Sequence, residues 1–167
     1  MKRTSLITIL IILTLQGCIN REGEVERVDP RDIRETNTNY GAEDLHIFTK
    51  SMIQSLLRSK LFKQTKPYLA VEPIHLGEGV DEHIDTQLIR NSLRNQLLKS
   101  QKLYLVNHQF NKERAVDYLL SGDIHSIKRL SAHSIDNFYS LSLQLTDTKS
   151  SLIVWTEKKE IRKIAKN

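Results

Sequence analysis

Histidine is the residue type in this chain best suited to metal binding or acid–base catalysis. A zinc or transition-metal site needs three or four converging ligands, and no HxxxH or HExxH pair is present. Only His75 and His83, which flank one loop, are placed to approach each other. The six histidines are His46, His75, His83, His108, His125 and His133. We therefore expect no metal site and no cofactor.

Other catalytic signatures are equally scarce. No G-x-S-x-G elbow marks a serine nucleophile. The Gly77–Asp81 loop carries neither GxGxxG nor GxxxxGK[ST], so it does not predict a phosphate site. A carboxylate pair for glycoside cleavage depends on separation in space, and the sequence leaves that reading open. With no catalytic residue to name, we expect a protein that is not an enzyme.

Cys18 is the one cysteine of the chain, and its position indicates covalent lipidation. Basic residues precede the apolar run Ser5–Leu15, which is typical of a signal peptide and shorter than the ~20 residues of a membrane-spanning helix. The next residues, LQGC, resemble the bacterial lipobox, although Gln16 departs from its usual small or apolar residue. We predict a signal peptide over 1–17 and a lipid anchor at Cys18; an ordinary signal peptide or an uncleaved anchor is the alternative. A lone cysteine also excludes an internal disulfide.

Segment 18–42 has few apolar residues and no hydrophobic period, so we expect the lipidated N-terminus to continue as a flexible linker. The remainder, 43–167, has the size of one domain. The formal net charge of the whole chain is +5, which suits an anionic surface or an acidic partner. Lys and Arg do not form the clustered stripe of a nucleic-acid binder, and we expect no nucleic acid as a partner.

Hydrophobic periodicity predicts two helices, Glu43–Lys60 and Asp85–Ser100, the second with Asp85 as its N-cap and Leu88 among its inward residues. Strict alternation of Tyr139, Leu141, Leu143 and Leu145 with polar residues predicts a half-buried strand. The further predicted strands are Tyr68–Leu76, Lys102–Asn107, Asp117–Leu130 and Leu152–Trp155.

Details of these elements set the expected fold. Pro73 favours an edge, a bulge or a strand end, and Gly122 suggests a bulge in its own strand. Leu152–Trp155 is expected to be core sheet. The charged run Glu157–Lys163 is expected to be a solvated strand end or tail, with an opposite-charge ladder or a partner contact as the alternative. We predict an α+β (mixed α/β) fold of two layers: a mixed parallel and antiparallel sheet of about four to five strands, with both helices on one face.

Several segments together resemble LpoB-type penicillin-binding-protein activators. They are DYLLSGDIHS (117–126) with the following strands over 136–163, EHIDT (82–86) opening a helix that ends in LLKSQKLYLV, and Asp44–Leu57. The resemblance implies a fold similar to the N-terminal domain of TolB and a non-enzymatic envelope lipoprotein. It also implies a partner, a bifunctional (class A) penicillin-binding protein, whose glycosyltransferase and transpeptidase activities are stimulated through a small docking domain.

Two segments depart from the family pattern. Relatives usually carry a long helical insertion where this chain has HQFNKERAVD (108–117), so one helix is expected to be shortened or absent. Relatives also tend to have Thr-Gly at the final turn, where this chain has Lys149–Ser150–Ser151. Since glycine enters positive φ freely, a turn of another type is expected here.

We expect the partner contact on the polar faces of the strands, around Lys128, Arg129, His133 and Phe138, because Phe138 is opposite in phase to the core residues. The expected location is the outer membrane, facing the periplasm, with membrane contact through the lipid anchor and the domain as a monomer. The alternative function is a structural or secretion and assembly accessory lipoprotein of related fold. A hydrolase ranks last.

Overall fold

The computed structural model describes residues 37–62, 65–77, 80, 84–107 and 115–166. The predicted signal peptide, Cys18, the linker up to residue 36, His83, His108 and most of the 108–117 connection lie outside these residues. Within the described part of the chain, no helix is both long and apolar enough to cross a membrane.

The described residues form an α+β fold, as the sequence predicts. Helices α1 (Ala42–Arg58) and α2 (Thr86–Ser100) accompany a short 3₁₀ turn at Lys60–Phe62. Five strands form one sheet in the order β2-β1-β3-β4-β5. The strands are β1 (Tyr68–Leu76), β2 (Tyr104–Leu105), β3 (Tyr118–Ser131), β4 (Ser134–Asp147) and β5 (Ile153–Lys166).

The sheet is mixed. Strand β1 pairs in parallel with β2 on one side and β3 on the other, whereas β3, β4 and β5 are antiparallel neighbours. The prediction of a strand over Lys102–Asn107 is wrong in extent, because only Tyr104 and Leu105 find partners, on Tyr68 and Leu69.

Both helices pack on one face of the sheet. The apolar face of α1 is buried through Phe48, Met52, Ile53 and Leu56. Asp85 caps α2, and its side chain accepts a hydrogen bond from the Leu88 backbone N–H at 2.9 Å. The expectation that Leu88 faces inward is wrong, since it is 51 % exposed. The alternating residues of β4 complete the core: Tyr139, Leu141, Leu143 and Leu145 are all buried.

A bulge lies in β1 and not in β3. Val71 pairs with Leu120 and Ile74 with Gly122, so Glu72 and Pro73 together oppose one residue of β3. Pro73 therefore marks the bulge, as its missing N–H allows. The prediction that Gly122 marks a bulge in its own strand is wrong. A Cβ on Gly122 would lie 2.5 Å from the backbone oxygen of Ser142 on β4, so close strand approach explains the glycine.

Strand β5 is longer than predicted and more exposed at its start. The run Glu157–Lys163 lies within the strand and pairs throughout with β4. Ile153 and Val154 are 58 % and 38 % exposed, so the expectation of core sheet there is wrong. The register of β4 and β5 shifts between Leu145 and Thr146, where Val154 is the extra residue.

Candidate docking surface

The sheet has one face that meets the helices and one, here called the outer face, that does not. Alternation along β3 and β4 places Leu120, Ile124, Leu141 and Leu143 against the helices. The residues between them point to the outer face and are largely polar, including Ser121, Asp123, His125, Ser142 and Gln144. An open sheet face of this kind can bind another protein without rearrangement of the core.

A shallow groove lies on the outer face near the β3–β4 turn. The ladders align Ile127, Phe138 and Arg162 in one row across three strands. The adjacent row brings Arg129 opposite Asp136. These five residues line a groove with a volume of about 330 Å³. An aromatic ring and an aliphatic side chain between two guanidinium groups match the composition of protein–protein anchor sites.

The polar side of the groove is held by a bidentate ion pair. Arg162 donates from Nε to Asp136 Oδ1 at 3.0 Å and from Nη2 to Oδ2 at 2.8 Å. The hydrogen bonds from Arg162 lower the pKa of Asp136, and the charges of Arg162 and Arg129 act in the same direction. The same contact raises the pKa of Arg162. These two hydrogen bonds, here called the fork, fix Arg162 beside Phe138. With two arginines and one aspartate, the groove has a net positive charge.

The structure brings together only part of the predicted contact set. Phe138 and Arg129 both line the groove. Lys128 lies on the opposite face of the sheet, because it directly precedes Arg129 in the same strand. His133 is exposed in the turn that joins β3 to β4. A partner lying flat on the outer face would contact Phe138 and Arg129 directly.

Sequence reasoning missed Ile127, Asp136 and Arg162. The two-residue turn between Ser131 and Ser134 fixes the β3–β4 register, so a correct turn assignment would have placed Ile127 opposite Phe138. The position of Arg162 carries no comparable signal, because the bulge at Val154 shifts β5 by one residue relative to β4.

The start of the described chain is hydrogen-bonded to the helix-side face of β4 and β5, on the opposite side of the sheet from the groove. The Asn137 Nδ2 and Tyr139 hydroxyl groups donate to the Thr38 carbonyl oxygen, both at 3.0 Å. Lys163 Nζ donates to the carbonyl oxygen of Asn39 at 2.7 Å and to Asp44 Oδ2 at 2.9 Å. Residues 38–41, which the sequence assigns to the linker, therefore pack against β4 and β5.

A second depression, of about 280 Å³, crosses the outer face from β1 over β3 and β4 to β5. Its lining includes His75, Asp123, Gln144 and Thr156. His125 Nε2 lies 2.8 Å from Asp123 Oδ2 beside it. Across the described ranges, no three His, Cys, Asp or Glu side chains are grouped to hold a metal ion. The depression is thus a polar surface without an evident chemical centre.

Comparison with solved structures identifies the fold. The chain is similar to the LpoB C-terminal domain from Salmonella enterica, with a TM-score of 0.53, 14 % identity, and coverage of 71 % of this chain and 98 % of that one. The LpoB C-terminal domain from Escherichia coli gives the same TM-score of 0.53 and the same coverage, 71 % and 98 %, at 15 % identity. At such identities the likeness shows the fold alone. No curated protein sequence matches significantly.

Sequence comparison at the level of families goes further. The model of the family described as peptidoglycan-synthase activator LpoB matches residues 44–116 and 108–161, which together cover more than half of the chain. The matched region contains α1 from Asp44 onward, α2, strands β1 to β4 and most of β5. The chain thus belongs to the family of the peptidoglycan-synthase activator LpoB.

Proposed function

We propose that this protein is a non-enzymatic lipoprotein of the cell envelope that binds and activates a bifunctional (class A) penicillin-binding protein, and so regulates peptidoglycan synthesis. The family match over residues 44–161 is the observation that carries this proposal. The groove on the outer face supports it, because its side chains are suited to hold a partner protein.

The proposal includes the membrane anchor. The signal peptide over 1–17 is removed, Cys18 is lipidated, and the domain faces the periplasm from the outer membrane. Two or three acyl chains hold such a protein stably, since each buried methylene contributes ~0.8 kcal/mol. About 20 residues then separate Cys18 from Thr38, a reach of ~25 Å as a coil and at most ~65–70 Å fully extended.

The contact with the synthase involves the groove. A docking domain that inserts an apolar side chain between Ile127 and Phe138 would bury both residues, and Ile127 is 52 % exposed in the free domain. Arg129 takes no part in the two hydrogen bonds between Arg162 and Asp136. Its guanidinium group can therefore bind a carboxylate or a backbone carbonyl of the partner. The pre-fixed fork reduces the side-chain entropy lost on binding.

Binding alone does not activate an enzyme. The activator must bind the active conformation of the synthase more tightly than the resting one, and a tenfold stimulation requires a difference of ~1.4 kcal/mol. The activator therefore acts on an equilibrium within the synthase, and this chain needs no reactive group.

Affinity measurements with the purified full chain and a class A penicillin-binding protein test the contact. Phe138→Ala should weaken binding by at least about tenfold and Arg129→Ala by a smaller factor. Tyr104→Ala and Arg58→Ala are matched controls, because both residues are exposed and lie away from the groove. Unchanged binding in Phe138→Ala would remove the groove from the proposal. Capture of an export-apparatus protein in place of the synthase would overturn the function itself.

A further inference from the structure

Strands β3, β4 and β5 extend together beyond the end of β1. Strand β1 pairs with β3 only as far as Leu76 and Ile124. From His125 to Ser131, β3 therefore has β4 as its only paired neighbour among the described strands. The residues at the end of this extension are exposed on more than one side.

This end, here called the tip, combines an exposed leucine with basic side chains. Leu130 is 72 % exposed, more than any other large hydrophobic residue in the described part of the chain. Lys128, His133 and Lys166 are exposed around it, and none of them has a carboxylate partner among the described ion pairs. We define the tip by Lys128, Leu130, His133 and Lys166.

Two carboxylates at this end of the domain are paired with cationic side chains. Asp136 is held by Arg162, and Asp44 by Lys163, with an Nζ–Oδ2 distance of 2.9 Å. Glu43 lies next to Asp44 in the first turn of α1. The tip therefore presents two lysines and an exposed leucine at one end of the sheet, with Lys128 and Leu130 on the helix-side face and Lys166 on the outer face.

The described chain begins near this end of the sheet. The Thr38 carbonyl accepts hydrogen bonds from Asn137 and Tyr139, and Asn137 is the direct ladder partner of Lys128. The anchored segment thus begins beside the tip and not at the opposite turn, Asp147–Leu152. A lipid anchor on this segment would bring the tip toward the membrane first.

We propose that the tip rests on an anionic phospholipid surface, that of the membrane that holds the lipid anchor. Leucine inserts among the headgroups while the lysines meet lipid phosphates, a combination that gives weak, salt-dependent attachment. The inference rests on the anchor in the proposed function, and it adds an orientation. The sheet stands on the membrane, and the groove on its outer face stays open to the synthase.

Exposed lysines on the rim of a sheet also protect against unwanted strand pairing. Protection against strand pairing requires charged side chains, but it does not require that they bind a lipid. It also does not explain why Leu130 is exposed. Vesicle experiments separate the two roles.

The test uses the full chain with an environment-sensitive fluorophore on Leu130→Cys, and on Leu152→Cys as the matched control. Leu152 is 63 % exposed and lies in the turn at the opposite end of the sheet. A lipidated Cys18 is a thioether and does not react with the label. The labelled proteins are placed in phosphatidylcholine vesicles with and without phosphatidylglycerol.

The expected result is a blue shift of emission at position 130 that needs phosphatidylglycerol and disappears in high salt, with no shift at position 152. Lys128→Ala and Lys166→Ala should each lower the ratio of docked to undocked tips about fivefold. No shift at 130, equal shifts at 130 and 152, or an equal shift in neutral vesicles would each overturn the proposal.

Failure of the anchor gives a different result. If the mass of the protein shows no lipid on Cys18, the free thiol is first removed by Cys18→Ser; vesicles added from outside then compare positions 130 and 152, and the same outcomes apply. Stimulation of the synthase in detergent, where no bilayer is present, does not depend on the tip. A negative vesicle result with intact stimulation therefore rejects the membrane contact and leaves the proposed function standing.

Discussion

At the residue scale, the Arg162–Asp136 pair determines the polar side of the groove. Both side chains are on the outer face of neighbouring strands, and the fork joins residues that lie diagonally across the ladder. The pair holds a guanidinium plane at a fixed place beside Phe138. Such positioning matters for recognition more than for stability, because exposed pairs contribute little to folding.

The lowered pKa of Asp136 predicts a pH dependence. Because its pKa in the folded state lies below the unfolded value of 3.8, the stabilisation is present above about pH 4 and is lost as the pH falls further. The unfolding free energy of Asp136→Asn should therefore fall less steeply than that of the wild type in denaturant titrations below pH 4. Identical acid profiles would contradict the assignment.

Part of the acid sensitivity should remain in that variant. Hydrogen bonds from the Ser150 backbone N–H and hydroxyl group lower the pKa of Asp147 as well, with the Lys149 N–H acting in the same sense. Protonation of Asp147 therefore also lowers the stability of the fold over the same low-pH interval, independently of the groove.

Ser151 occupies a backbone conformation that serine seldom adopts. Its φ is 59°, in the left-handed region that glycine enters most freely. Ser151→Gly removes a steric penalty of about 1–2 kcal/mol and adds an entropic cost of about 0.4–1 kcal/mol in the unfolded chain. The unfolding free energy should rise by up to about 1 kcal/mol. In the control Ser142→Gly, within β4, it should fall by about 0.5–1 kcal/mol. A fall in both variants would contradict the prediction.

At the element scale, residues 38–41 act as a strap that joins α1 to β4 and β5. The strap is held by the buried Asn137 and Tyr139 side chains and by the Lys163–Asp44 pair. Tyr40 adds ring contacts with Phe48 and Tyr139, and burial raises its pKa above the ordinary value. The strap thereby fixes where the tether starts.

Loss of one hydroxyl group should loosen the strap. Tyr139→Phe removes the hydrogen bond to Thr38, so the unfolding free energy should fall by about 1–2 kcal/mol. The Gly41 amide, which donates to Asp44 Oδ2 at 2.9 Å, should exchange its hydrogen faster. Tyr104→Phe is the control, since Tyr104 is 51 % exposed and its hydroxyl lies at the surface. Equal effects of the two substitutions would contradict a role for the strap.

Elements with a strong period could be predicted from the sequence, and those that depend on pairing could not. Tyr68–Leu76 was predicted with the observed bounds, and the Asp85 cap is confirmed, because local residue types decide both. The full length of β5 was missed, since an edge strand with Lys, Glu and Arg on both faces shows no apolar alternation. The run 157–163 is a solvated part of this strand; Lys158 pairs with Glu160 within the strand, and Arg162 pairs with Asp136 across to β4.

The groove shows the same division. The phase of Phe138 relative to Tyr139 and Leu141 predicts that it points away from the core, and the structure confirms this. Ile127 and Arg162 are brought to it by registers that depend on one turn and one bulge. Register is a property of paired strands, so single-strand patterns do not reveal the complete site.

At the scale of the whole molecule, the fold separates three tasks. The helix layer and core face provide stability, the outer face offers the groove, and the strap and tip lie where the described chain begins. In the proposed function, a tether of about 20 residues keeps the domain within ~70 Å of the lipid on Cys18. We therefore expect the synthase to project toward the outer membrane for contact to occur.

The most direct test of the central claim is the rate at which a purified class A penicillin-binding protein polymerises and cross-links lipid II, with and without this protein. We predict at least a severalfold stimulation by the full chain, a substantial loss in Phe138→Ala, and no loss in Tyr104→Ala. Equal rates with and without the wild-type protein, under conditions in which the two proteins bind, would contradict the claim that it is an activator.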